Sequence, residues 1–193
     1  MEYYGAIYDG DNVSQYLKAQ LTTEDYAVTG YISQGAAMNI TSNWETPLSM
    51  DNIGSLAGLS ATANLGQVAT NETSIMRWNS LQVWEGGTAP TFTLPLSFYA
   101  WVDAAVEVQG AIMALQAMIS PELNDTSPRG RRPYACVLDL GRRIKITDVV
   151  IQSVDVELDA PRTREGYFLR NTVSLQLTGM SALNRSDVPN IYL

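Results

Sequence analysis

Apolar side chains recurring at every second position constrain this chain most, because a period of two gathers them on one face of a strand and scatters them around a helix. Phe92, Leu94, Leu96 and Phe98 form one such run, Val154, Val156 and Leu158 a second, and Val173, Leu175 and Leu177 a third. The last two flank a polar loop with arginines, Asp159 to Gly166, and are expected to pair as a long β-hairpin, one face buried and one wet. Val137, Ile144, Ile146 and Val149 to Ile151 add strand signal ahead of it. Pro95 sits inside the first run on the opposite face and has no N–H, so that strand is expected at an edge or interrupted there. Met76, Trp78, Leu81, Val83 and Trp84 mark a further strand region that stops at Gly86 and Gly87.

After Trp101 the period becomes helical. Ala105, Val108, Ile112, Leu115 and Ile119 follow at steps of three and four, Asp103 is placed to cap the first free amides, and Pro121 ends the run. The spacing predicts a helix over about 103–119, roughly 25 Å long, whose apolar stripe is core against the sheet.

Chemistry-bearing residues are sparse. The chain has no histidine, which removes Ser-His-Asp and Cys-His arrangements and the usual general base. Its single cysteine, Cys136, lies in the apolar run YACVLDL and reads as a buried, inert thiol. The acidic neighbours Asp9 and Asp11, Glu24 and Asp25, and Asp155 and Glu157 are placed by no catalytic motif. Asp9-Gly-Asp11-Asn12 is like the start of a calcium loop but lacks the later ligands and closing glutamate. No catalytic residue, metal or cofactor is expected, and the chain is not read as an enzyme.

The net charge of −8 is unevenly spread. Residues 1–128 hold 13 acidic and 2 basic side chains, and residues 129–193 hold 7 acidic and 10 basic, so −11 and +3 sum to −8. Separated signs let copies of one chain meet with opposite patches facing. The loops bearing Arg129, Arg131 and Arg132, and Arg162 and Arg164, are therefore expected at subunit contacts, not on nucleic acid. Trp84 and Leu175 join them as interface residues, because strand edges around Leu81 to Trp84 or Val173 to Leu177 are expected to pair with a neighbouring subunit.

Residues 1–26 mix tyrosines with acids and show no period, and residues 33–73 are rich in Ser, Thr, Asn, Gly and Ala. Residues 1–73 are thus read as an N-terminal arm with irregular loops, and residues 74–193 as the β domain. The start shows no basic segment followed by an apolar one, and no run approaches the roughly 18 apolar residues of a membrane span, so maturation in a cytoplasm and no membrane partner are expected.

Two stretches carry a resemblance. IMRWNSLQVWEGGTAPTFTLPLSFYAWVDAAVEVQGAIMALQAMISPEL, from Ile75 to Leu123, resembles baseplate and tail-tube junction proteins of contractile-tailed phages, in which strands lead through an aromatic F-x-A step into a helix closed by Ser-Pro. Tyr134 to Val188 is similar to their C-terminal end, with an Ile-x-Ser-Val strand, a polar loop, a V-x-L-x-L strand and a tail with Leu-Asn-Arg. Residues 1–73 carry no part of it. The resemblance implies a mainly β fold with one flanking α-helix, whose tail-tube-like packed sheets close into a barrel in a ring oligomer. It implies a virion protein, assembled in the host cytoplasm, forming a homohexameric ring at the baseplate hub. Tail tube protein would lie on one side and hub proteins on the other, with DNA able to pass through the lumen. The alternatives are the major tail tube protein and, in another class, a β-sandwich ligand-binding module.

Overall fold

The computed structural model describes residues 1–46, 81–125 and 130–193. The chain forms two compact units, Met1–Ile40 with Ala89–Leu193, and Thr41–Thr88.

The first unit is a closed barrel. Six strands, β2 (Lys18–Thr22), β3 (Tyr26–Ile32), β7 (Thr91–Tyr99), β8 (Cys136–Leu140), β9 (Ile144–Val156) and β10 (Arg170–Gly179), pair antiparallel in the order β3-β2-β8-β9-β10-β7. The ring closes where Tyr31 and Ile32 of β3 meet Ser97 and Leu96 of β7. β1 (Glu2–Gly5) adds parallel to β3, and β4 (Ala37–Asn39) adds to β7. The molecule is therefore mainly β, as the alternating runs predict, and it has the barrel that the resemblance implies, closed here within one chain.

Phe92, Leu94, Leu96 and Phe98 point inward with Val173, Leu175 and Leu177, against Leu21, Val28, Leu138 and Val149. Each such side chain removed from water contributes about 1.5–3 kcal/mol before entropy. β9 and β10 form the expected hairpin, with a register shift between Gln176 and Leu177. Pro95 does fall at an interruption. Its carbonyl accepts the Ser33 amide at 3.0 Å, and a residue's N–H and C=O point the same way in a strand, so the missing N–H faces the side where β4 gives way to β3.

One long helical segment flanks the barrel: π-helical turns over Ala105–Gly110 run directly into α1 (Ala111–Ile119). It packs against β1, β3, β7 and β9. Val108, Ile112 and Leu115 are buried as expected, whereas Ala105 and Ile119 are half-buried, and Ala111, Ala114 and Met118 complete the inner face. The wider i→i+5 turns cause the shift, presenting Glu107 and Val108 to the core in place of Ala105. A short C-terminal helix, α2 (Val188–Ile191), tucks Ile191 against β9.

Three expectations need correction. The division at residue 73 is not observed, because β2 and β3 are barrel staves and residues 1–40 belong with the β domain. Their inward rows are short, Ala19 and Leu21 opposite Gly30 and Val28, and a Cβ on Gly30 would sit 3.0 Å from the Phe98 ring. Val173 to Leu177 is not an edge, since β10 pairs with β7 and β9 within its own chain. Leu158 leaves the buried row and lies in the loop after β9, 76% exposed.

In the second unit the described residues form a two-stranded antiparallel sheet, β5 (Ser42–Glu45) with β6 (Val83–Gly87). Met76, Trp78 and most of residues 33–73 lie outside the described residues, and so do the readings placed on them.

Candidate assembly surfaces

The most buried polar cluster pins the N-terminal segment to the barrel. Between β1 and β2 the chain makes two 3₁₀ turns, Asp9–Asp11 and Gln15–Leu17. Asp11 Oδ2 lies 2.7 Å from Lys18 Nζ and accepts the Tyr31 hydroxyl at 2.5 Å, while Oδ1 accepts the Val13 amide at 2.9 Å. Lys18 and Tyr31 are opposite residues of β2 and β3 on the outward row, so one carboxylate clamps the turn onto two staves. Burial alone would raise the Asp11 pKa, but the bonds from Lys18, Tyr31 and the Val13 amide outweigh it and hold it below the ordinary value. Burial, then the bond to Asp11, pushes the Tyr31 phenol up. These oxygens are spent on the fold, and the resemblance to a calcium loop ends there.

Glu107 is buried at the start of the helical segment, where its Oε2 accepts the amides of Trp101, Val102 and Asp103 at 2.6, 2.9 and 3.2 Å. Asp103 Oδ1 takes the Ala105 amide at 2.8 Å, the bond expected of it. Together they shape a tight turn with Trp101 and Val102 on its outside, 54% and 72% exposed. The Ala100 amide bonds the Leu169 carbonyl at 3.0 Å, joining this turn to the β9–β10 loop, which exposes Leu158 and Leu169. Two neighbouring loops thus present large apolar side chains to solvent. Sequence periodicity misses Trp101, Val102 and Leu169, which lie outside any repeat, and wrongly puts Leu158 in the buried row of β9.

The expected contact residues separate. Arg131 and Arg132 are exposed beside a groove of about 550 Å³ that Asp25, Tyr26, Glu122 and Tyr134 also line. The main chain of Arg131 bridges Glu122 with bonds of 3.0 and 2.8 Å, which fixes the base of the loop, and its guanidinium reaches the Tyr134 hydroxyl at 3.4 Å. Arg129 lies outside the described residues. Arg164 is exposed, but Arg162 stacks over Phe168 at 4.0 Å and donates to the Gly166 and Leu158 carbonyls at 3.0 and 3.4 Å, so it staples its own loop. Leu175 is fully buried inside the barrel and is core, not interface. Among the described residues, the Asp11–Lys18 contact is the one ion pair, which leaves Arg131, Arg132 and Arg164 without a carboxylate partner.

Trp84 is 57% exposed on β6, opposite Trp44 of β5, itself 56% exposed. The Trp84 indole N–H donates to Ser42 Oγ at 2.9 Å. Trp44 escapes sequence reading because it stands alone in a Ser- and Asn-rich stretch.

Cys136 is buried, and burial pushes its thiol up to about 11, so it is not a nucleophile at neutral pH. No group of three or more His, Cys, Asp or Glu side chains could hold a metal among the described residues, and no helix there is long and apolar enough to cross a membrane.

No protein-family model matches this chain, and a search of curated proteins returns no match.

Proposed function

We propose that this chain is a structural virion protein of a contractile phage tail, forming a hexameric ring at the baseplate hub on which the tail tube polymerises. The likeness of Ile75–Leu123 and Tyr134–Val188 to baseplate and tail-tube junction proteins supplies the identity of the structure being built. The observation that carries self-assembly is the apolar surface at Trp101, Val102, Leu158 and Leu169, joined across two loops and open to solvent. Surfaces of this kind mark sites that another protein covers. In this reading the chain binds copies of itself, tail tube protein on one side and hub proteins on the other. It performs no catalysis and takes no cofactor.

Electron microscopy of the purified protein, with and without tail tube protein, tests the proposal. Rings that lengthen only when tube protein is added support an initiator. Long tubes from the chain alone would make it the tube protein, and isolated monomers under both conditions would remove the reading.

A further inference from the structure

We propose that the Trp44–Trp84 face of the β5–β6 sheet is a docking surface for an arginine-bearing loop, Arg131–Arg132, of a second copy of this chain. The inference rests on the reading of the chain as self-assembling and names one contact within it.

A two-stranded sheet is marginal in water unless something packs on it. Every residue of β5 is exposed, and in β6 only Gly86 is half-buried. Opposite residues of an antiparallel pair share a face, so Trp44 and Trp84 lie on the same face of this sheet. Two adjacent tryptophans, each more than half exposed, form the surface that interface hot spots favour. Their electron-rich ring faces attract guanidinium groups in particular.

Charge selects the occupant. Residues 41–88 contain Glu45, Asp51, Glu72 and Glu85 against Arg77 alone, a net −3; Glu45 alternates to the face opposite Trp44, whereas the register shift at Asn43 and Trp44 leaves Glu85 unpaired in the ladder beside Trp84. Arg131 and Arg132 are exposed and carry no ion pair among the described residues. A planar guanidinium can lie on an indole and still bond a carboxylate in its own plane, which an ammonium cannot do. Each copy carries both halves, so in the proposed ring the contact is made head-to-tail and recurs at every interface.

The test is sedimentation of three proteins: the full chain, the Trp44→Ser/Trp84→Ser variant and the Arg131→Ser/Arg132→Ser variant. All these side chains are exposed, and unchanged circular dichroism confirms that the barrel is intact. Each double variant is expected to associate at least about tenfold more weakly than the parent. An equimolar mixture of the two should form heterodimers and nothing larger, because it pairs one intact indole face with one intact arginine loop. Should the tryptophan variant fail to fold, loss of association in the arginine variant, with recovery in Arg131→Lys/Arg132→Lys only partial, still supports the contact. Parent-like assembly by either folded variant overturns this contact while leaving the proposed function standing. A parent chain that never associates overturns both.

Discussion

Asp11 shows how much of the N-terminal segment hangs on one carboxylate. Lys18→Ala leaves that carboxylate buried without its counter-charge and should cost about 3–5 kcal/mol, read from the urea midpoint at neutral pH. The folded-state pKa of Asp11 lies below its unfolded value of about 3.9. Its contribution is therefore complete above that unfolded value and is lost as pH falls through the folded one. Asp11→Asn should be less stable than the parent at pH 7, and the gap should close on acidification below pH 4. A gap that widens on acidification would contradict the arrangement. Cys136 offers a second check, since a thiol both buried and pushed up to about 11 should resist alkylation at pH 8 until the chain unfolds. The inert cysteine was legible from the apolar run around it. The Asp11–Lys18–Tyr31 clamp was not, because no spacing rule joins a turn residue to two partners on different strands.

At the scale of elements, legibility followed side-chain size. β7 and the β9–β10 hairpin could be read because their inward rows are Phe, Leu and Val, which stand out against Thr, Ser and Gln on the outward rows. β2 and β3 could not, because their inward rows are short and mix Leu21 and Val28 with Ala19 and Gly30, the glycine leaving room for the large Phe98. The helix was placed within two residues at its start and correctly at its end. Its inner face was shifted, because periodicity assumes α winding and the first six residues are π. Leu115→Ala, at a fully buried position, should cost about 2–5 kcal/mol in thermal or urea unfolding, and Ile119→Ala, half-buried, clearly less. Equal losses would mean that the buried face is the α-helical one after all. Gly110→Ala should also destabilise, because the added methyl carbon would sit 2.4 Å from the Tyr4 ring and force β1 away from the helix.

For the whole molecule, the closed barrel changes how assembly must work. β10 already has both neighbours in its own chain, so the proposed ring could not be made by pairing copies along that strand; side-chain surfaces, or the edges of β1, β4, β5 and β6 that are unpaired among the described residues, would have to do it. The exposed arginines Arg131, Arg132 and Arg164, which have no ion pair among the described residues, and the exposed tryptophans and leucines would supply such surfaces. Contacts between exposed charges are screened by salt, so association should weaken as ionic strength rises past physiological values. If Arg131→Ser/Arg132→Ser abolishes DNA retention in a gel shift and leaves assembly intact, that loop serves nucleic acid. Self-assembly is decided by the mass distribution of the purified chain at low and high salt, followed by imaging of the assembled fraction. Closed six-copy rings are expected at low salt, dissociating at high salt and seeding tubes when tail tube protein is added. A salt-independent monomer that never seeds a tube would contradict the proposed function.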